Sequence, residues 1–183
     1  MWAALYAVLV VALFVRFQDP NAPVRAALPA PSPDEPMRLV QLHHALFYVL
    51  LLVVCPLEGF LVGGADEGRT LGALAFAGGV VCYRWGAMTL GDALSPFVAP
   101  RPGGRLVTAG PYRVVRHPMY LGQLLIAFGA PALLGCRWAF AVSFAAALVL
   151  FARVALEENA LSRAYAEYPS YQARSKRFLP FVF

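Results

Sequence analysis

Five long apolar runs, broken by short polar stretches, constrain this chain more than any other feature. A helix that crosses a bilayer needs about 20 mostly apolar residues, with roughly 17–25 tolerated. The runs cover residues 1–15, 38–62, 70–90, 119–134 and 138–156. Composition points the same way. Of the 183 residues, 60% are hydrophobic and 14% charged, where soluble domains average about 45–50% and 25%. Mean hydropathy is +0.63. A soluble domain of this size has too little interior to hide that surface, and a disordered chain would be polar. The expected class is an all-α integral membrane protein, a single domain over residues 1–183, with about five transmembrane helices. A secretory signal would carry its positive charge ahead of the apolar core. Here Arg16 follows the first run, so that run is expected to be a retained helix.

The breaks carry the polar chemistry. Residues 18–36 contain six prolines and read as a linker. Residues 63–69 form a short turn, and residues 91–118 a basic loop punctuated by Gly and Pro. Only Gly135, Cys136 and Arg137 join the last two runs, which predicts a tight helical hairpin. The formal charge of +5 sits in these breaks, which suits a topology signal and contact with membrane lipids rather than nucleic acid. Of the 15 Lys and Arg residues, Arg69 and Arg137 fall on one side of a five-span arrangement, and Arg84 lies inside the third run. The others share the opposite side. The positive-inside rule makes that side cytoplasmic, with the N-terminus outside and the C-terminus inside. Cys55, Cys82 and Cys136 lie in or beside apolar runs with no CxxC and no Cys/His cluster, so they read as packing residues, with no metal site.

The short connector has a geometric consequence. In a hairpin centred near residue 137, residues equidistant from the centre share one membrane depth. His117 and its neighbours Arg113, Arg116 and Tyr120 therefore meet Glu157 and Glu158 at the cytoplasmic edge. Ionisable groups at the edge of a membrane bundle are functional candidates. They also suit ordinary roles: Arg113 as a lipid anchor, Tyr112 and Tyr120 as interfacial aromatics, His117 as a helix cap, and Arg153 with Glu157 as a pair one turn apart. His43, His44 and Glu58 read as structural or interfacial.

The wording of this segment narrows the choice. Gly110-Pro111-Tyr112-Arg113-Val114-Val115-Arg116-His117-Pro118-Met119-Tyr120-Leu121-Gly122 resembles the GPYRxxRHPxYxG motif of the isoprenylcysteine carboxyl methyltransferase family, relatives of the phospholipid N-methyltransferases. Arg84-Trp85 with Thr89-Leu90-Gly91, Arg153 through Leu161, and the ending Arg177-Phe178-Leu179-Pro180 match further family segments in register. The resemblance covers about residues 80–183, the expected catalytic core. Residues 1–70 match nothing and read as family-variable N-terminal spans.

The resemblance implies a methyltransferase dependent on S-adenosyl-L-methionine (SAM) without a dinucleotide-type fold. The chain has no GxGxxG and no alternating strand–helix pattern. It implies a cofactor pocket at the cytoplasmic helix ends, covered by the tail. Tyr112, Arg113, Arg116, His117, Pro118, Tyr120, Gly122 and Glu158 would bind the cofactor. Arginines suit its carboxylate, a glutamate its ammonium or ribose, and tyrosines and Phe178 its ring and sulfonium. Gly122 would allow close approach of backbone or ligand. The acceptor would be a lipophilic or lipidated molecule from the bilayer: a prenylcysteine-like carboxylate, or a lipid amine or thiol. Arg153 would orient a carboxylate. Glu157 or His117 would serve as base for an amine or thiol. Two other classes stand beside this one: an NADPH-dependent reductase of the sterol reductase type, and a non-enzymatic membrane scaffold.

Overall fold

The computed structural model describes residues 1–14, 36–62, 68–101 and 103–178. Apart from Pro36, the proline-rich linker lies outside these residues, as do the turn at 63–67 and Leu179 and Pro180 of the tail motif. The described chain forms α1 (Trp2–Phe14), α2 (Met37–Val49), α3 (Cys55–Leu61), α4 (Arg69–Leu90), α5 (Pro118–Leu134), α6 (Ala139–Ala164) and α7 (Tyr168–Arg174). A π-helical turn, Leu50–Val54, joins α2 to α3. The wider turn exposes carbonyls, and the Tyr6 hydroxyl of α1 donates to one of them, Leu51 O.

Among the described residues, three helical stretches are long and apolar enough to cross a membrane: Arg38–Leu61, Arg69–Ala93 and Ala139–Ala164. The first and fourth runs give shorter apolar helices, Trp2–Leu13 and Pro118–Leu134. Large side chains such as Val8, Leu52, Phe60, Leu71, Val81 and Leu148 stay exposed on the outer faces. An apolar exterior of this extent suits lipid rather than water.

The closest helix pair is α4 with α5, not the expected hairpin of the last two runs. Glycines explain it. Gly72, Gly79 and Gly86 recur on one face of α4, and Gly122 and Gly129 on the facing side of α5. A methyl group on Gly79 would lie 2.7 Å from the Gly122 carbonyl oxygen, and one on Gly122 would lie 2.6 Å from the Tyr83 nitrogen. Only glycine lets the two backbones touch, as small residues do between membrane helices. Helix α6 contains no glycine, so it meets α5 through side chains. Ser143 Oγ, for example, donates to Ala127 O at 2.6 Å.

The turn between α5 and α6 is nonetheless tight. Gly135 closes α5 in the left-handed region at φ 73°, where a Cβ would be strained. Glu58, from α3, then supplies the N-terminal cap that α6 lacks locally. Its carboxylate accepts the backbone N–H groups of Arg137, Trp138 and Ala139 at 2.6, 2.9 and 2.8 Å. This satisfies amides that helix geometry leaves open, at the end where a negative charge is favoured. Glu58 is structural, as the sequence suggests. At its other end α6 continues through Glu157 and Glu158 to Ala164, beyond the expected start of the tail. The glutamates are therefore held on a rigid helix.

Candidate functional site

The segment before α5 and the tail after α6 are stitched together. Arg116 N donates to Lys176 O at 2.7 Å, Lys176 N to Val114 O at 3.1 Å, and His117 N to Arg177 O at 3.2 Å. The Tyr171 hydroxyl donates to Tyr112 O at 2.7 Å. Phe178 packs near His117 and Phe151, with ring centroids 6.0 and 5.4 Å away.

Glu158 lies at the centre of this junction and is 5% exposed. It accepts from Arg116 Nε at 2.9 Å, His117 Nε2 at 3.2 Å and Arg177 Nη2 at 2.5 Å. Arg116 also donates through Nη1 to Gln172 O at 3.1 Å and Ser175 O at 2.5 Å. A buried carboxylate held by several charge-assisted bonds is firmly fixed. The convergence expected of residues 117 and 157–158 is therefore present, and its first consequence is to fasten the tail.

Beside the junction opens a cavity of about 330 Å³, within the roughly 300–1,000 Å³ usual for small-molecule sites. Of the expected site residues, Tyr112, Arg116, His117, Tyr120, Arg153 and Glu157 line it. Four do not. Arg113 is exposed on the short 3-10 turn before α5. Pro118 is buried as the first residue of α5, where its missing N–H costs nothing. Gly122 admits the backbone of α4 rather than a ligand. Glu158 faces the arginine–histidine cluster just described.

Sequence reading did not place Tyr83 or Gln123 in the site, and it assigned His44 elsewhere, yet all three line the cavity. A polar Gln in an otherwise apolar run was the available signal. From the tail, Tyr165, Tyr168 and Tyr171 add to the lining. Burial raises the Tyr112 and Tyr168 hydroxyls well above the ordinary phenol range, and that of Tyr171 to about 12. They stay protonated at neutral pH and can donate hydrogen bonds.

Tyr120 organises the centre. Its hydroxyl donates to Glu157 Oε2 at 2.6 Å, and its ring lies near-parallel to His117, with centroids 5.6 Å apart. The Arg153 guanidinium carbon lies 5.6 Å from the ring centroid, a favourable cation–π distance. Arg153 Nη2 donates to Pro96 O at 2.8 Å. Two cavity-wall groups, Arg153 Nε and the Tyr168 hydroxyl, are buried without a hydrogen-bond partner among the described residues. Unpartnered buried donors are rare in folded proteins, and here both belong to side chains lining one cavity.

The phospholipid methyltransferase family model matches residues 68–168. The chain belongs to that family. The matched stretch holds α4 to α6 and most of the cavity wall, including both halves that the hairpin depth brings together. That family is one of integral-membrane methyltransferases, and the three long apolar helices among the described residues agree with a membrane protein. Two relatives are similar. The cobalt-zinc-cadmium resistance protein CzcN of Cupriavidus metallidurans is 32% identical over 112 residues, 61% of this chain and 48% of its own length. The nickel-cobalt-cadmium resistance protein NccN of Alcaligenes xylosoxydans xylosoxydans is 27% identical over 169 residues, 87% of this chain and 74% of its own. The chain thus spans about half the length of the first.

The walls fit the methyl donor used by such enzymes. Arg105 and the terminal nitrogens of Arg101, whose Nε donates to Leu94 O at 2.8 Å, would suit its carboxylate, Glu157 its ammonium or ribose, and the tail tyrosines its ring. Arg116 is already committed to Glu158, Gln172 and Ser175.

Proposed function

We propose that the protein transfers a methyl group from SAM to a lipophilic acceptor that enters from the bilayer. The observation that carries this is a cavity walled by both family segments, with buried donors on Arg153 and Tyr168 that lack a partner among the described residues. When bound, SAM supplies an electrophilic methyl group on a sulfonium. The chain's own residues do the rest. Tyr112, Tyr168 and Tyr171 surround the donor with protonated phenols and exclude water. Glu157, fixed by Tyr120, faces the same space. Arg153 orients the acceptor. Displacement at a methyl carbon needs alignment and a dry site more than covalent help from the protein.

In this reading the chain crosses the membrane five times, with the N-terminus outside and the cavity on the cytoplasmic side. The charge bias supports that orientation. Nothing in the family match favours the sterol-type reductase, and a scaffold would have no need of a cavity with unpartnered donors. The relatives' names suggest a physiological setting in metal-ion resistance, to which this chain would contribute by modifying a membrane acceptor.

The test is transfer of labelled methyl from SAM into a lipid extract by the purified protein in nanodiscs. Label in the organic phase is expected. None above the heat-inactivated control would contradict the reading.

A further inference from the structure

We infer that the end of the cavity lined by α2, α5 and α6 is a head-group subsite for an acceptor that reacts as an anion, and that His43 shapes it by holding Gln123. The inference rests on the methyltransferase reading and adds the acceptor's chemical class.

The first observation is Arg153. It is 4% exposed, and no carboxylate lies within ion-pair distance of it among the described residues. A buried guanidinium without a counter-charge is costly, and a buried charge inside a membrane bundle marks a ligand or transport path. Its visible partners are one carbonyl, Pro96 O, and the face of Tyr120. Its Nε–H has none. Glu157, the neighbouring acid, is engaged by the Tyr120 hydroxyl at 2.6 Å.

The second observation is independent and comes from another helix. His43 of α2 is 1% exposed, stacked on Phe47 and edge-on to Tyr120, with centroids 6.5 and 6.4 Å away. Its Nε2 lies 3.0 Å from Gln123 Oε1. With the amide oxygen on that side, the contact is a hydrogen bond in the Nε2–H tautomer, and Nδ1 is left buried without a partner among the described residues. That contact fixes the amide with its oxygen toward His43 and leaves the amide N–H₂ of Gln123, a cavity-lining residue, as a donor.

This end of the cavity therefore offers a cation and N–H donors. An ammonium head would meet a like charge. A carboxylate, phenolate or thiolate would meet its complement. The balance of the reaction agrees. An anionic acceptor forms its bond to the methyl carbon as the sulfonium C–S bond breaks. For a carboxylate, ionised at neutral pH, both charges cancel and no proton has to leave; a phenol or thiol must first give up its proton, which the Glu157 carboxylate would take. His43 lies outside the family-matched residues 68–168, which puts acceptor choice partly in the family-variable helices. His43 is a positioning residue, acting through Gln123.

The experiment uses the full chain in nanodiscs with S-adenosylhomocysteine present, and three diazirine-bearing dodecyl probes: a carboxylate, a phenol and a primary amine. Saturable crosslinking is mapped by mass spectrometry, and calorimetry follows S-adenosylhomocysteine separately. One or both acidic probes should bind at least about tenfold tighter than the amine, and which of the two does so names the source of the anion. His43→Ala should weaken the preferred probe by about tenfold, with S-adenosylhomocysteine unchanged. His43→Gln, which keeps an N–H near the position of Nε2, should restore binding to within about threefold. The inference is overturned if the amine binds as well as the acids, or if His43→Ala changes neither ligand. Equal loss of both ligands in His43→Ala also overturns it, since that marks a merely structural role. Binding of an acidic probe without any binding of S-adenosylhomocysteine would sink the methyltransferase reading and leave the subsite standing. The reverse result would do the opposite.

Discussion

Glu158 and Tyr168 are both buried beside the same cavity, and their hydrogen bonding is opposite. Glu158 has three charge-assisted partners, whereas the Tyr168 hydroxyl has none among the described residues. Their substitutions should therefore separate stability from binding. Glu158→Gln keeps the shape but leaves Arg116 and Arg177 without their carboxylate. A loss of about 3 kcal/mol is expected, the low end for breaking a buried ion pair because Arg177 is partly exposed. A lowered thermal midpoint in detergent, with earlier proteolysis in the tail, would show it. Tyr168→Phe removes a donor that no described residue accepts from. Stability should hold or rise slightly, while SAM affinity falls by about 0.5–1.5 kcal/mol. Calorimetry and thermal unfolding of the one variant check both halves. From sequence alone Glu158 reads as a cofactor contact. Only the register of the tail, which sets Arg177 against it, reveals the fastening role.

At the scale of elements, the seam between α4 and α5 is the most demanding feature. In Gly79→Ala the new methyl would lie 2.7 Å from Gly122 O and 2.9 Å from Ile126 N, both backbone atoms that cannot swing aside. Destabilisation by about 1–3 kcal/mol is expected from overpacking. Gly78→Ala, one residue away and facing open space, should instead gain up to about 1 kcal/mol of helix propensity. Thermal unfolding of the two variants side by side is the check. The glycine spacing is present in the sequence, but spacing on one helix does not say which neighbour faces it. Apolar runs locate helices well because the bilayer sets their length. They say little about which helices touch, since a lipid-facing side is as apolar as a packed one. The extension of α6 past Glu157 was hidden for a related reason: a polar helical turn leaving the membrane looks like the start of a loop.

For the whole molecule, charge placement is the legible part. Arg137→Cys in a background lacking Cys55, Cys82 and Cys136 should react with an impermeant thiol reagent from outside, and Ser170→Cys should not. The reverse labelling would overturn the proposed orientation. Half of the cavity was legible as well. Mirror positions about residue 137 do bring His117 to Glu158 at 3.2 Å and Tyr120 to Glu157 at 2.6 Å. The contribution of α2 was not, because His43 and Gln123 are 80 residues apart and meet only once the order of helices around the bundle is known. The central claim is that this cavity holds SAM. Its most direct test is calorimetric titration of SAM into the purified protein in detergent. A single site of low-micromolar affinity is expected, about −7 to −8 kcal/mol, weakened in Tyr168→Phe. Well-folded protein that gives no saturable heat with SAM or with S-adenosylhomocysteine would contradict it.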